Sequence, residues 1–217
     1  MPNENKPALQ ASFISVTSVK RTQGKAEITL SNGEAIAMPR AMLKERPYKA
    51  GFPFDKEAHD VFIRTRSYAF ALDKAVSLLA VRSRTEREIA DALRKNAYGE
   101  PVVARVMARL HEAGYINDAD FAEHWASSRA SKGMGAMRIR MELRHKGVDQ
   151  SAIDDAVSSM DQIALFDGAV KAAQKAARGR DLSQAAERQK VLAALARRGF
   201  DYATARRALQ QVMTEQN

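Results

Sequence analysis

Two stretches of this chain, beginning at Ile139 and Val191, fall into register with each other over nineteen residues. Written out, they are I-R-M-E-L-R-H-K-G-V-D-Q-S-A-I-D-D-A-V and V-L-A-A-L-A-R-R-G-F-D-Y-A-T-A-R-R-A-L. Apolar residues coincide at Ile139 with Val191, Leu143 with Leu195, Val148 with Phe200 and Val157 with Leu209, and Gly147 falls on Gly199 and Asp149 on Asp201. Repetition of this kind means that one supersecondary unit is used more than once. Two apolar residues four apart form the buried stripe of a helix. The glycine supplies a left-handed C-terminal cap, and the aspartate caps the next helix by accepting from its first free N–H groups. The unit is helix, tight turn, helix. A first copy starts at Ile89 and keeps Leu93, Tyr98 and Val106 in register, but it has Ala97 in place of the glycine. Its turn must therefore be closed differently, with help from Gly99.

A leading helix precedes each copy: Ser67 to Val81, Asp118 to Ser131, and about Gln162 to Arg178. From Asp55 onward the apolar spacing is near 3.6, and the first leading helix opens at Asp55 or at Ser67. Thr85 and Glu88 have the spacing of a capping box, Pro101 lies near a first turn, and Gly114 stops that helix. Asn117 and Asp118 stand where a helix start needs caps. The fold class is all-α: three tandem three-helix repeats forming an elongated, curved molecule. The expected boundaries are 67–114, 115–160 and 161–217, after an N-terminal segment of residues 1–66. Within that segment residues 1 to about 25 are polar and without period, so they read as loose. Ala26 to Met38 then alternates around Asn32-Gly33, the signature of a β-hairpin with a type I′ turn, and a short helix is expected at Arg40 to Glu45. A lone hairpin is marginal in water and must lean on a helix.

Function classes narrow by what the residues are. The chain has no cysteine, so disulfides, thiol nucleophiles and thiolate metal sites are excluded. A cytoplasmic setting fits: no apolar run approaches the ~20 residues that span a bilayer, and Met1 to Gln10 has no signal-like apolar core. His59, His111, His124 and His145 are scattered, and no phosphate loop of the form G-x-x-x-x-G-K occurs. Gly133 and Gly135 lack the preceding strand of a dinucleotide site and read as a sharp turn between helices. No cofactor, no metal and no catalysis are expected. Trp125, four residues after Phe121, reads as core rather than as a base-stacking platform.

The net charge of +9 favours anionic partners, nucleic acid or an acidic protein surface. In the segment from Ala136 to Lys146, Ile139 and Leu143 point inward while Arg140 and Arg144 share an outer face flanked by Met137 and Met141. Arg138, four before Glu142, is held in a local ion pair. The candidate binding residues are therefore Arg140 and Arg144, with Lys132 and Lys146 at the helix ends, and Lys190, Arg197, Arg198, Arg206 and Arg207 in the last repeat. Arg140, Arg144, Lys190 and Arg197 are expected on one concave side. A solvated, merely solubilising surface is the alternative for both groups.

The runs R-S-R-T-E-R-E-I from Arg82, G-Y-I-N-D-A-D-F-A from Gly114 and R-I-R-M-E-L-R-H-K-G-V from Arg138 together resemble the RecX family of recombinase regulators. The resemblance covers residues 67 to 157 well and the third repeat less specifically. It implies a small cytoplasmic protein that binds the RecA filament on DNA; nothing in the sequence itself demands a dimer, and a monomer is expected. It also implies modulation, in the inhibiting sense, of filament extension and of recombinase, ATPase and co-protease activities, in homologous recombination, DNA repair and the SOS response. Contact with single- or double-stranded DNA is expected to be weak and independent of sequence, because the candidate helices begin with Ala136 and Met137 or with Gln184 and Ala185, which are poorly equipped to read bases. Two other readings stay open: a direct DNA-binding regulator, because helix-turn-helix units enter the major groove, and a protein-interaction scaffold.

Overall fold

The change of apolar period near residue 55 is where sheet gives way to helix. In the computed structural model, which describes residues 14–215, strands β1 (Val16–Arg21), β2 (Lys25–Leu30) and β3 (Ala35–Pro39) form an antiparallel sheet in that order. A 3-10 helix follows at Arg40–Lys44. Nine helices complete the described residues: α1 (Lys56–Val81), α2 (Glu86–Lys95), α3 (Glu100–Glu112), α4 (Asp118–Ser131), α5 (Ala136–His145), α6 (Gln150–Ser158), α7 (Gln162–Ala177), α8 (Ala185–Arg197) and α9 (Tyr202–Glu215). This is the expected all-α array of three-helix repeats with a small N-terminal sheet.

The sheet has one strand more than the alternation of Ala26 to Met38 suggests. Val16–Arg21 pairs with β2, with Val19 opposite Ile28 and Arg21 opposite Ala26. This strand has no visible period because most of its side chains are exposed, Val16 alone being fully buried. Residues 1–13 of the segment read as loose lie outside the described residues. The β2–β3 turn also differs from expectation. The Gly33 N–H donates to Leu30 O at 3.0 Å, the Leu30 N–H donates to Glu34 O at 2.8 Å, and Gly33 takes φ +85°. Asn32 is not at positive φ, so this is a three-residue loop with one left-handed position rather than a type I′ turn. Asn32 instead accepts the Glu34 N–H through its Oδ1.

α1 opens at Asp55, whose carboxylate accepts the Ala58 N–H at 2.9 Å. Its first half lies under the sheet, where Phe62, Ile63 and Phe70 pack on Ile28, Leu30, Met38, Met42 and Phe54. The hairpin's need for a helix is met here. The later half of α1 packs on α3. The described chain forms two compact units: residues up to Val81 with Ile89–Glu112, and Arg82–Glu88 with the residues from Ala113 onward.

The second unit holds two separate helical cores of the same design. Ile139 and Leu143 are buried with Phe121, Val148, Ile153 and Val157, as Val191 and Leu195 are with Phe200, Ala205 and Leu209. Fully burying a Leu or Ile side chain contributes about 1.5–3 kcal/mol. The turns also match at the glycine, but the aspartate cap expected after it forms only at Asp201, which accepts the Thr204 N–H at 2.8 Å, while Asp149 makes no side-chain cap. Gly147 (φ +85°) and Gly199 (φ +88°) are both left-handed, with Val148 N–H donating to Leu143 O and Phe200 N–H to Leu195 O, each at 3.2 Å. The first copy closes the same way, contrary to the expectation for Ala97. Tyr98 N–H donates to Leu93 O at 3.2 Å, and Ala97 itself sits at φ +64°, the one non-glycine residue at positive φ among those described. Gly99 instead offers its carbonyl to the N–H groups of Val102 and Val103.

A Cβ in the left-handed region costs about 1–2 kcal/mol, against roughly 0.4–1 kcal/mol for glycine's added freedom in the unfolded chain. Ala97→Gly is therefore expected to stabilise the first unit by about 0.5–1 kcal/mol, read by hydrogen exchange at the Tyr98 amide. Faster exchange in the variant would show that alanine is unstrained at this turn.

Candidate functional site

The cations that the sequence singles out all belong to the second unit, and their surroundings divide them. On α5, Arg140 Nε reaches Asp154 Oδ1 at 3.5 Å and Arg144 Nε donates to Gln150 Oε1 at 2.9 Å. Gln150 in turn donates to Asp154 at 2.8 Å, so α6 holds both arginines through one short polar chain. The Gln150 hydrogen bond, then the one from Arg140, hold the Asp154 carboxyl below its usual range. Met137 and Met141, 61% and 53% exposed, lie beside these arginines.

Lys146 has a different place. Its ammonium donates to Glu88 Oε1 at 2.6 Å and lies 4.3 Å from the centre of the Trp125 ring, with its side chain only 16% exposed. Burial pushes the Glu88 carboxyl up, but hydrogen bonds from Arg82 and Lys146 outweigh that and keep it below its usual range. Trp125 is a lining of this network rather than a bare platform: its ring stacks on Phe121, Arg129 lies 4.8 Å from its centre, and its Nε1–H donates to Glu142 at 3.2 Å. Arg138 bonds Glu142 at 3.1 Å, as its spacing predicts.

Helix starts in this unit are tied to the tight turns. Thr85, fully buried, donates through Oγ1 to Lys146 O at 2.8 Å and accepts the Glu88 N–H at 3.2 Å. One repeat on, the Gly135 N–H donates to Arg198 O at 2.9 Å and the Met137 N–H to Gly199 O at 3.1 Å. An orphan donor at one helix start thus meets an orphan acceptor at another helix end, and both are satisfied. Gly135 is required by this approach and not by a positive φ: a Cβ there would overlap the Gly199 carbonyl. Gly133, at φ +69°, does make the turn. Asn117 caps α4 by accepting from Ala119 and Asp120, while Asp118 accepts the Glu86 N–H at the start of α2.

In the last repeat Lys190 donates to Glu187 at 2.6 Å. Lys190 and Arg197 line one cleft, and Lys132 and Arg198 line another, where Arg198 donates to Gly133 O at 3.3 Å. Arg206 is exposed on α9, and Arg207 lies 4.7 Å from the Phe166 ring centre. The Arg140–Asp154 chain shares no residue with either cleft. Sequence reading passed over Lys171, Lys175, Arg178 and Arg180, which line these clefts from α7 and the loop after it. Their signal was present as K-x-x-x-K-x-x-R, one exposed stripe of a helix. No group of residues able to hold a metal ion, and no helix long and apolar enough to cross a membrane, occurs among the described residues.

The repeats themselves decide the family. Residues 71–110, 117–157 and 165–209 match, in order, the first, second and third three-helix domains of RecX. The chain belongs to the RecX family. The regulatory protein RecX of Mycolicibacterium smegmatis is 35% identical over 174 residues, which cover 76% of this chain and 91% of that one. The regulatory protein RecX of Mycobacterium sp. (strain KMS) is 37% identical over 134 residues, 59% of this chain and 73% of that one. Two crystal structures share the fold. One, of a regulatory protein RecX, has a TM-score of 0.62 at 21% identity and covers 91% of this chain and 99% of its own. The other, RecX from Lactobacillus salivarius, has a TM-score of 0.63 at 22% identity and covers 68% of this chain and 97% of its own. A regulatory protein, and not a known kind of enzyme, is what a RecX-family chain amounts to.

Proposed function

We propose that this chain binds the filament that the RecA recombinase forms on DNA and limits its extension, acting in the cytoplasm as a monomer and without catalysing a reaction. RecX-family membership supports the regulatory role. The observation that carries the contact is the outer face of α5, where two exposed methionines lie beside two arginines. Exposed flexible apolar side chains next to guanidinium groups suit a protein surface with acidic patches, because methionine adapts its shape and arginine forks onto carboxylates.

The direct reading of base edges is less well supported. A recognition helix offers its N-terminal residues to the groove, but the first N–H groups around α5 are already bonded to Arg198 and Gly199. A pure scaffold would lack any effect on the filament.

The test is assembly of RecA on single-stranded DNA with and without this protein, followed by light scattering and ATP turnover. Slower extension is expected. Arg140→Ala/Arg144→Ala should weaken filament binding about 30-fold, a central interface arginine being worth ~2 kcal/mol. The thermal midpoint should hold, since exposed pairs such as Arg140–Asp154 contribute little to folding. No effect of the natural protein on assembly, disassembly or ATP turnover removes the proposal. Normal binding by the double variant moves the contact off α5.

A further inference from the structure

α7 lines two cation-rich clefts in succession along its length, and the clefts share Lys175. The first, about 530 Å³, is lined by Lys132, Lys171, Lys175 and Arg198, with Asp167 its one acidic residue. The second, about 400 Å³, adds Arg178, Arg180, Lys190 and Arg197 and has no acidic lining. We infer that the two clefts form one furrow that takes the phosphodiester backbone of DNA, at a site separate from the α5 face. The inference deepens the reading of a protein that works on a DNA-bound filament, but its ligand is DNA alone, so it can be tested without the recombinase.

Charge is the first argument. Among the described residues Lys171, Lys175, Arg178 and Arg197 have no carboxylate partner, and all four are exposed. Glu187, the acid beside the second cleft, takes Arg180 at 2.7 Å and Lys190 at 2.6 Å, which leaves one positive charge from those three groups. The partial negative charge at the C-terminal end of α7 is covered as well: Arg180 donates to Ala176 O through Nε at 2.8 Å and to Ala177 O through its backbone N–H at 3.0 Å. An anion entering the furrow meets little of its own sign.

Shape is the second argument. Between the cations the walls are Gly133, Ala164, Gly168, Ala172 and Ala193, small residues with no aromatic or large aliphatic side chain to anchor a protein partner. Lys171 and Lys175 are one turn apart on α7, a rise of about 6 Å, so successive cations recur along the furrow as phosphates recur along a strand. The α5 face is built the opposite way, with exposed methionines beside its charges. A backbone-tracking site of this kind has no sequence preference, because phosphates carry no sequence information.

The experiment is fluorescence anisotropy of the full chain with a labelled oligothymidylate at several salt concentrations. Removing two phosphate contacts by Lys171→Ala/Lys175→Ala should reduce the slope of log affinity against log salt by about 1.4, or ~25-fold in affinity at 0.1 M salt. Both side chains are exposed, so the thermal midpoint should stay where it is. Asp167→Asn should act in the opposite direction and tighten binding several-fold. Arg140→Ala/Arg144→Ala should leave DNA affinity unchanged. The inference is overturned if Lys171→Ala/Lys175→Ala keeps the natural affinity and slope; loss of binding to DNA-free recombinase in that same variant would make the furrow a protein surface. It is equally overturned if affinity falls only together with the thermal midpoint while Asp167→Asn has no effect. Absence of any effect on filament assembly would defeat the filament reading and leave this measurement standing.

Discussion

Gly199→Ala is expected to lower the stability of the second unit by about 3 kcal/mol. Two costs add. At φ +88° a Cβ is disfavoured by about 1–2 kcal/mol. The new Cβ would also overlap the backbone N and Cα of Arg138, which cannot swing aside as a flexible side chain would, and overpacking of this sort costs about 1–3 kcal/mol. Gly114 separates the two terms, since it has φ +68° in the same unit with nothing within 4 Å of an added Cβ. Gly114→Ala should show the first cost alone. Gly135→Ala should show the second alone, because Gly135 has φ −82° and its Cβ would meet the Gly199 carbonyl. Trp125, the sole tryptophan, lies in this unit and reports denaturant unfolding. If Gly199→Ala is no worse than Gly114→Ala, the close backbone approach between the start of α5 and the turn after α8 does not exist in solution.

Glu142→Ala should cost about 2–3 kcal/mol at pH 7. Its side chain is 14% exposed and accepts from Arg129 at 2.6 Å, Arg138 at 3.1 Å and Trp125 Nε1 at 3.2 Å. Losing the carboxylate strands the half-buried Arg129 guanidinium and the indole N–H, and an orphaned buried partner costs more than the bond was worth. Burial alone would raise the Glu142 pKa, but the hydrogen bonds from Arg129 and Arg138 prevail and hold it below its usual range. A carboxyl depressed in the folded state stabilises above its unfolded value of about 4.3, and that stabilisation is lost as pH falls through the folded value. Stability of the second unit should therefore decline on the acid side of pH ~4.3, with Glu88 contributing in the same direction. Glu142→Gln should flatten that decline and shift the Trp125 emission. An unfolding curve for Glu142→Ala that matches the natural protein at pH 7 would contradict the network.

Much of this was legible because it is local. The Ile139–Leu143 stripe, the left-handed Gly147 and Gly199, the Asn117 cap and the Arg138–Glu142 pair each involve residues a few positions apart, and helical geometry brings such residues together whatever surrounds them. β1 was not legible, because a mostly exposed edge strand leaves no alternation for a reader to find. Ala97 was misread for a related reason: its own propensity argues against a left-handed turn, and packing of Leu93 and Tyr98 overrides it.

For the binding surfaces the division is sharper. Residue type and spacing determined by themselves that Arg140 and Arg144 share a helix face and that the last repeat is rich in cations. Only the tertiary structure decided which charges are left for a partner. It places Glu88, fifty-eight residues away in the chain, against Lys146, and Arg180 of the loop after α7 against Glu187 on α8. It also brings Lys132 and Arg198 to the side of α7 where Lys171 and Lys175 lie. A charge interacts through space and not along the sequence, with an energy set by distance and by the water excluded around it, and those two quantities exist only once the repeats have packed.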